Sequence, residues 1–416
     1  MDRLNNVASH LSPNPTAAVD KVAEKRPDDV VITAAYRTPI TKGGKGGLKD
    51  MSSGELVAEL LKGLLERSKV DPKLIEDVAV GNVLNAGAGA NEHRAACLVA
   101  GIPNTTPLVA INRQCSSGLM AVNDIATKIA AGQIDIGIGG GVEAMSQNYG
   151  PQSQSPFPDT FKKHSEAAKC LIPMGFTSEN VAKQWNISRE EQDRFAAESY
   201  QKAAKAQDEG LFDEEIIPIN AKVVDDEDES KVTYQVISKD DGIRRGTTKE
   251  KLGKLKPAFD ADGTTTAGNA SQVSDGAGAV LLMRRSTAEK LGQKILAKFV
   301  HCKVVGVPPE VMGIGPGVAV PALLKATGLT VDDVDIFEIN EAFASQVLQS
   351  LQAAGIPESK VNPKGGAIAF GHPLGATGAR QVSTLLTELK RTNKRVGVTS
   401  MCIGSGMGAA ALFIRE

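Results

Sequence analysis

The chain has 416 residues, of which 41% are hydrophobic and 4% aromatic. This length exceeds that of one ordinary hydrophobic core, so we expect two similar domains or one core with a large insertion. Its 47 basic and 49 acidic residues leave a net charge of −2, which excludes a global basic field for nucleic acid or an anionic membrane. Five cysteines without paired spacing predict a reducing compartment, with no disulfide framework and no metal site. No apolar run approaches the roughly 20 residues that span a bilayer, so we predict no membrane span.

Residues 1–28 contain little apolar periodicity and no apolar region of the kind that a secretory signal needs, so we expect them to lie outside the fold. On a helix, Arg3, Leu4, His10 and Leu11 would lie on one face. Their spacing resembles the amino-terminal peroxisomal targeting nonapeptide, Arg-Leu, five residues, His-Leu. The pattern therefore predicts a protein of the peroxisomal matrix that binds an import receptor.

The folded part opens with a strand at 29–35, a helix at 53–69 and a second strand at 78–83. This β-α-β order predicts a mixed or parallel sheet. A further strand at 134–140 runs into the glycines at 139–141, which lack the G-x-G-x-x-G spacing of a dinucleotide site. We therefore interpret these glycines as a tight strand end.

A lone cysteine stands where an apolar strand at 107–111 turns into a helix at 119–131. The unpaired N–H groups and positive dipole at a helix N-terminus lower the pKa of a thiol below its free value of about 8.5. Cys115 is therefore a candidate nucleophile. The alternative is inert packing, because cysteine is among the residues most often buried.

The amino-acid composition of the chain changes between about 147 and 265, which predicts an insertion with one long helix at 189–210. The acidic run at 225–229 is interpreted as a solvated loop, and the basic stretch at 239–256 as mostly a solvated face. Regular elements then return, with predicted strands at 278–283, 295–307, 335–339 and 396–400 and predicted helices at 321–327, 343–354 and 376–389.

The second half repeats the first at low fidelity. Cys115-Ser-Ser-Gly118 leads into an Ala-rich helix and then a strand, and His372-Pro-Leu-Gly375 does the same. An internal duplication would bring the starts of the two equivalent helices together. We therefore expect Cys115 and His372 to face each other.

One kind of chemistry would account for Cys115, His372 and Cys402 together. Glycines surround the last two of these residues. A cysteine beside a histidine indicates covalent thioester chemistry, in which the imidazole accepts the thiol proton. A second thiol with a pKa near neutrality could exchange a proton with carbon or with another thiol. This set suits carbon–carbon bond cleavage or formation next to a thioester better than it suits a protease.

The chain resembles the thiolase family. The signatures that carry the resemblance are NRQCSSG at 112–118, TAGNAS at 266–271, NEAF at 340–343, GHPLG at 371–375 and CIGSG at 402–406. The match runs in register over residues 28 to 416. Its motifs are long and specific.

The resemblance implies an α/β fold, the thiolase fold, duplicated into a five-layer α-β-α-β-α arrangement with five strands in each half. It divides the chain into a targeting segment and spacer at 1–28, an N-terminal half at 29–285 and a C-terminal half at 286–416. A loop domain inserted at about 147–265 would cover coenzyme A. The resemblance also implies a homodimer.

The resemblance, taken with the leader, implies thiolytic cleavage of 3-oxoacyl-CoA in peroxisomal fatty-acid β-oxidation. Cys115, activated by His372, would form the acyl-enzyme, and Cys402 would protonate the enolate and deprotonate coenzyme A. His372 with a water held by Asn340 would form one oxyanion hole. The backbone N–H groups of Cys115 and Gly404 would form the other.

Coenzyme A would be a co-substrate, and no cofactor would be held permanently. The contacts that the resemblance implies are Arg244 at the adenosine phosphate end, Phe259, Met174 and Ser271 along the pantetheine, and Met312 at the acyl end. Arg245 stands where related sequences would carry proline, which bears on the shape of this loop.

Two alternatives remain open at this stage. A biosynthetic acetoacetyl-CoA thiolase would run the same chemistry towards condensation, although the leader argues for degradation. A non-catalytic acyl-CoA or lipid carrier on the same fold could lose His372 or Cys402, and this chain keeps both together with Asn340.

Overall fold

The computed structural model describes residues 15–150, 156–225 and 227–416. The predicted targeting pattern at positions 3 to 11 lies outside these ranges. The strands of the described residues are β1 (Val30–Arg37), β2 (Thr41–Lys42), β3 (Asp77–Gly81), β4 (Leu108–Ile111), β5 (Ile136–Ala144), β6 (Ile219–Val224), β7 (Val232–Ile237), β8 (Ser274–Arg284), β9 (Ala297–Gly306), β10 (Ile336–Ile339), β11 (Val396–Ile403) and β12 (Met407–Arg415).

The helices surround and separate these strands. They are α1 (Pro15–Ala23), α2 (Ser53–Ser68), α3 (Ala90–Val99), α4 (Ser117–Ala130), α5 (Met145–Asn148), α6 (Asp159–Lys162), α7 (Ser165–Lys169), α8 (Met174–Gln184), α9 (Arg189–Asp208), α10 (Lys249–Leu252), α11 (Arg285–Lys290), α12 (Gly315–Thr327), α13 (Ala344–Ala354), α14 (Ala367–Phe370) and α15 (Leu374–Arg391). In the described part of the chain, none of them combines the length and apolar character that a bilayer span requires.

The main sheet is mixed, with the order β10-β11-β12-β9-β1-β8-β5-β3-β4. β3 pairs in parallel with β4 and β5, and β10 pairs in parallel with β11, whereas β8 and β12 run antiparallel to their neighbours. The two strand groups meet where β1 pairs with β9 through only two residue pairs, at Val31 and Ile32. Each strand group can therefore pack against its own set of helices.

Helices cover the strands in alternating layers. The β-strands of the first group pack on one face against α2, and those of the second group pack against α12, giving two outer helical layers. Between the groups lie α4 and α15, and the hydrophobic cluster around them draws side chains from β1, β8, β11 and β12. The arrangement is a five-layer α-β-α-β-α stack with its most buried helices at the centre.

The glycines of β5 do not form the tight strand end predicted from sequence. Gly139 and Gly141 lie inside a strand that is buried along its whole length. A Cβ on Gly139 would stand 2.5 Å from the Cα of Val122 in α4, and one on Gly141 would collide with the carbonyl oxygen of Gly375 in α15. These glycines let both central helices lie directly on the sheet.

Three further expectations need correction. Residues 1–28 were expected to lie outside the fold, but α1 lies within this segment and buries Ala23 in the hydrophobic cluster that contains residues of α12 and α13. The helix predicted at 321–327 begins earlier, at Gly315, because Pro321 is accommodated inside α12 rather than at its start. The resemblance implied five strands in each half, but the described second half has four. A single parallel bridge between Phe337 and Val361 occupies the place where a fifth would pair.

The region predicted as an insertion is built from α6 to α10 and the hairpin of β6 and β7. The long helix α9 ends at Asp208, two residues before the predicted end, and its buried face joins the hydrophobic cluster of α12 and α13. The acidic residues Asp225, Glu227 and Glu229 lie exposed at the turn between β6 and β7, and Asp228 beside them is half-buried. Their exposure agrees with a solvated loop.

Candidate active site

Cys115 lies in the turn that joins β4 to α4, two residues before the first residue of that helix. The side chain is half-buried. The backbone N–H groups of Gly404 and of Cys115 itself lie close enough to the sulfur to favour its thiolate. Backbone donors from the two halves of the chain are therefore close to this thiol.

The pKa of Cys115 differs from the sequence-based expectation. Burial raises the pKa of this thiol to about 11, and the two backbone N–H groups oppose the shift only in part. The helix terminus was expected to lower the pKa, but desolvation of the thiolate is the larger effect here. In the free protein Cys115 is a thiol, so it needs a base when it attacks.

His372 lies directly before α15, with its backbone N–H donating to the carbonyl oxygen of Gln272 at 3.1 Å. Its Nδ1 lies 2.6 Å from Oγ1 of Thr377, and its Nε2 lies 3.3 Å from Nδ2 of Asn340. Because the Asn340 amide nitrogen can only donate, Nε2 is the acceptor, and we assign the imidazole proton to Nδ1, where it is donated to Thr377. Burial lowers the pKa of His372 to about 3, so the ring is neutral.

The helices that start beside Cys115 and His372 touch at their first turns. A Cβ added to Gly118 would lie 2.5 Å from the carbonyl oxygen of Gly375. This contact, made backbone to backbone, brings the two turns to the same place between the strand groups.

Glu143 was not predicted from the sequence as a site residue, yet its carboxylate links β5 to the segment after β3 and to the start of α15. Its carboxylate lies in β5, fully buried, and accepts hydrogen bonds from the backbone N–H groups of Val83 and Leu84, from Nδ2 of Asn82 and from the N–H of Gly375 at the start of α15. Burial raises its pKa to about 7. The available signal was a lone carboxylate in an otherwise apolar, glycine-rich strand.

Cys402 lies near the end of β11 and is completely buried. Burial raises the pKa of its thiol, and a thiolate at Cys115 would raise it further. The expectation of a pKa near neutrality is therefore wrong for the free protein, because desolvation of the thiolate outweighs the backbone N–H that favours it. The electrostatic coupling nevertheless shows that the two thiols are neighbours.

Gly404 follows Cys402 in the turn between β11 and β12 and faces the Cys115 turn. The Oε1 atom of Gln114 lies against its Cα, where any Cβ would collide. Asn340 follows β10, and its Nδ2 contacts His372 while its Oδ1 is buried without a partner among the described residues. Contacts therefore link Cys115 with Gly404 and Cys402, and they link His372 with Asn340.

Four of the five residues expected to contact coenzyme A surround the same centre. Met312, Ala270, Ala342, Phe343 and Cys402 form one buried cluster, and Met174 packs against it. Phe259 is 40% exposed and stacks edge-on against Phe343, with ring centroids 6.4 Å apart. Ser271 donates its backbone N–H to the carbonyl oxygen of Ala342 at 2.9 Å.

Arg244 lies exposed in the segment that leads to α10. Among the residues that the structure describes, no acidic side chain forms an ion pair with it. Arg245 behaves differently, because its guanidinium pairs with Asp208 at 2.6 Å and contacts Gln207 at 2.8 Å. The residue that replaces the expected proline thus binds α9 and leaves Arg244 unpaired.

Metal ligands are not gathered anywhere in the described ranges, which hold no group of three or more His, Cys, Asp or Glu side chains suited to an ion. Cys97, Cys170 and Cys302 also remain free thiols. The reactive groups around Cys115 and His372 are thiols, an imidazole and backbone donors.

Comparison with known proteins agrees with this geometry. The thiolase N-terminal domain matches residues 30–286, and the thiolase C-terminal domain matches residues 293–415. The chain is 70% identical to a peroxisomal 3-ketoacyl-CoA thiolase of Yarrowia lipolytica over 416 residues, covering all of both chains.

Solved structures extend the comparison to the fold. The dimeric peroxisomal thiolase of Saccharomyces cerevisiae is 55% identical, with a TM-score of 0.89 over 95% of this chain and 100% of that one. A second structure of peroxisomal 3-ketoacyl-CoA thiolase from that yeast, described as five-layered and built from two core domains of identical topology, is 52% identical, with a TM-score of 0.78 over 94% of this chain and 99% of that one. The predicted fold class is confirmed, and the chain belongs to the thiolase family.

Proposed function

We propose that this protein is an acyltransferase that cleaves 3-oxoacyl-CoA with coenzyme A, giving acetyl-CoA and an acyl-CoA shortened by two carbons. The observation that carries the proposal is one connected set of contacts. Gly404 and Cys402 lie beside the half-buried Cys115, His372 contacts Asn340, and the helices that start beside Cys115 and His372 touch at their first turns. Relatives named as peroxisomal 3-ketoacyl-CoA thiolases support this substrate class and a role in peroxisomal fatty-acid β-oxidation.

The first half-reaction begins when Cys115 attacks the 3-keto carbon and its proton passes to Nε2 of His372. The bond between C2 and C3 then breaks, the acyl group stays on the sulfur of Cys115, and the electron pair leaves as the enolate of acetyl-CoA. Cys402 gives its proton to C2 of the enolate. The low pKa of His372 and the high pKa of Cys115 support a proton transfer that occurs only as the new C–S bond forms.

The second half-reaction returns both thiols to their starting state. The Cys402 thiolate takes the proton of incoming coenzyme A, whose sulfur attacks the acyl-Cys115 carbonyl. The Cys115 thiolate leaves and recovers its proton from His372. Acyl transfer thus consumes one coenzyme A and needs no permanently bound cofactor.

Each half-reaction develops negative charge on an oxygen, which two groups of donors would stabilise. The N–H groups of Cys115 and Gly404 already converge on the nucleophile, which supports one oxyanion hole. The other would use His372 and a water held by Asn340, whose buried Oδ1 has no partner in the described chain and is available to hold it.

Coenzyme A would lie across the inserted region, with Arg244 at its phosphate end and with Phe259, Met174 and Ser271 along its pantetheine. Met312 would contact the acyl end. The aromatic stack of Phe259 on Phe343 supports this path because it continues from the exposed surface to the buried cluster around Cys402. An unpaired, exposed guanidinium supports a phosphate contact.

The domain division belongs to the same proposal. It comprises a leader and spacer at 1–28, an N-terminal half at 29–285 that carries the insertion at about 147–265, and a C-terminal half at 286–416. The matches to the family's two domains support a boundary near 286.

Homodimer formation is proposed from an unpaired edge beside the nucleophile turn. β4 is the outermost strand of the first group, and Val109 on it is 37% exposed. Leu98 and Val99 on the adjacent helix α3 are 46% and 63% exposed. A second copy of the chain that covers this edge would pair with the outer side of β4 and bury the exposed apolar side chains. The yeast relative is described as dimeric.

Location in the peroxisomal matrix is proposed to depend on the N-terminal stripe and an import receptor. Replacing Arg3→Glu and His10→Asp should leave folding and thiolysis intact while the protein stays in the cytosol. Import of that double variant at the normal level would contradict the role of the stripe.

Thiolysis measured across a ladder of 3-ketoacyl-CoA chain lengths tests the activity. Fast cleavage of medium and long chains, with each chain shortened by two carbons, is expected. Activity confined to acetoacetyl-CoA would favour a biosynthetic enzyme. Binding of every chain length without product would indicate a carrier.

A further inference from the structure

Two residues with side chains occupy the left-handed backbone region beside the proposed oxyanion donors. Gln114, which precedes Cys115, has φ of 47°, and Ser405, which follows Gly404, has φ of 57°. Left-handed backbone is uncommon for residues other than glycine and persists where the surrounding structure enforces it. Comparable residues such as Lys69 and Asn393 lie at the ends of helices, where this conformation is ordinary. Gln114 and Ser405 do not end helices.

The two unusual residues are bonded to each other. Nε2 of Gln114 donates to Oγ of Ser405 at 3.0 Å, across 291 positions of sequence. Oγ of Ser405 in turn donates to the carbonyl oxygen of Gly404 at 2.6 Å. The side chain of Gln114 therefore binds the turn of the second half while its own backbone forms the turn of the first.

The backbone of Gln114 sets the direction of the first donor. The N–H of Cys115 belongs to the peptide unit whose other side is Gln114, so the ψ angle of Gln114 orients it. This conformation is held at both ends of the residue. The Gln114 N–H donates to Oδ1 of Asn112 at 2.9 Å, and its carbonyl oxygen accepts from Oγ of Ser117 at 2.6 Å.

The Gln114 amide also sets the position of the second donor. Its Oε1 atom lies against Gly404 so closely that a Cβ added there would displace the Gln114 amide. Because the same amide binds Ser405, it contacts both residues of the turn that presents the Gly404 N–H. The spacing between the two donors thus depends on one side chain.

We propose that Gln114 and Ser405 form a positioning pair that holds the N–H groups of Cys115 and Gly404 convergent on the reacting acyl carbonyl. This inference rests on the proposed thiolase reaction and adds two residues to it. Neither side chain takes part in proton transfer. Their function is to keep the distance between donors contributed by the two halves of the chain.

Ser405→Gly provides the sharpest test, because it removes the hydroxyl and also relieves the left-handed backbone. We expect kcat for thiolysis to fall about tenfold, less than the roughly 10²- to 10³-fold loss that follows removal of an oxyanion donor. The KM for coenzyme A should stay unchanged, and Tm should stay equal or rise. A residue with only a structural role would lose activity together with stability.

Asn393→Gly is the matched control. Asn393 also has positive φ, at 52°, and its Oδ1 accepts from the Arg415 guanidinium at 2.8 Å, but it lies after α15 and away from Cys115. This variant should keep wild-type kcat. Gln114→Leu should lower kcat at least as much as Ser405→Gly does, because it also removes the amide that lies against Gly404. The double variant should lose no more than Gln114→Leu alone, because the contact between Gln114 and Ser405 is already broken in that variant.

Wild-type kcat in both Ser405→Gly and Gln114→Leu would overturn the positioning role, as would losses that multiply in the double variant. A fall in Tm that accompanies the fall in kcat in Ser405→Gly would also overturn it. Absence of thiolysis in the wild-type protein is a different outcome, which would reject the proposed reaction itself.

Discussion

The imidazole Nδ1 of His372 lies 2.6 Å from the hydroxyl oxygen of Thr377, one turn further along the same segment, and both side chains are buried. A neutral hydroxyl accepts a hydrogen bond from Nδ1–H and fixes the ring orientation, but it stabilises an imidazolium much less than a carboxylate would. His372 is therefore held as a neutral base with its lone pair on Nε2, beside the Asn340 amide.

Replacing Thr377→Val should lower kcat by about 10- to 100-fold, because the imidazole remains but loses its fixed tautomer and orientation. The KM for coenzyme A should change little. Thr377→Ser, which retains the hydroxyl, should restore most of the rate. Ser383→Ala removes another buried hydroxyl from α15 and serves as the control. Equal rates in Thr377→Val and the wild type would remove Thr377 from the site.

The two active-site thiols should be separable by substitution. Cys115→Ala removes the acyl acceptor, so no acyl-enzyme should form and thiolysis should vanish. Cys402→Ala should still acquire label on Cys115 from a reactive acyl-CoA or iodoacetamide, while turnover falls by roughly 10²- to 10⁴-fold, as is typical when a general acid and base is lost. Mass spectrometry of the labelled peptide reports which thiol is modified.

Cys302→Ala is the control for loss of a free thiol, since Cys302 lies in β9 and outside the site. It should retain normal turnover. Acyl mass on Cys402 of the wild-type protein would make that thiol the acyl acceptor, and near-normal turnover in Cys402→Ala would remove Cys402 from proton transfer.

Arg244 and Arg245 offer a matched pair of adjacent arginines. Arg244→Ala should raise the KM for coenzyme A about tenfold and leave kcat nearly unchanged, since a charge-assisted contact to phosphate contributes roughly 1.5 to 3 kcal/mol. Arg245→Ala should leave KM near its normal value, because that guanidinium is already paired with Asp208. The same KM in both variants would exclude a specific phosphate contact by Arg244.

His93 predicts a pH-dependent loss of stability that is independent of catalysis. The side chain is completely buried, its Nε2 lies 3.2 Å from Oγ of Ser53, and burial lowers its pKa to about 4. Because the unfolded chain binds a proton near pH 6.5 and the folded chain does not, stability is fully present above pH 6.5. It is lost as the pH falls towards 4, by on the order of 3 kcal/mol.

Thermal unfolding of the wild type and of His93→Gln between pH 7.5 and 4.5 tests this expectation. The variant should unfold at a lower Tm near neutral pH, because packing is lost, but its Tm should decline less steeply on acidification. His372 contributes to the same window in both proteins, so the difference in slope isolates His93. Parallel curves would mean that His93 titrates near its ordinary pKa.

Sequence alone located the reactive residues and most elements of the two halves. Regular apolar spacing predicted most of those strands and helices within a few residues, because burial on one face imposes that periodicity. It did not predict α3 or the hairpin of β6 and β7. Cys115 at a strand-to-helix turn, and His372 and Cys402 among glycines, were recognisable from local composition. The repeated order of elements around Cys115 and His372 predicted that the two halves would meet.

Only the tertiary structure revealed how the site is held. The contact between Gln114 and Ser405 spans 291 positions, and Glu143 in β5 accepts from Gly375, 232 positions away. Local patterns do not encode such distances. The pKa of Cys115 was predicted with the wrong sign for the same reason. The helix terminus is a local feature that favours the thiolate, whereas the desolvation that outweighs it arises from packing between the two halves of the chain.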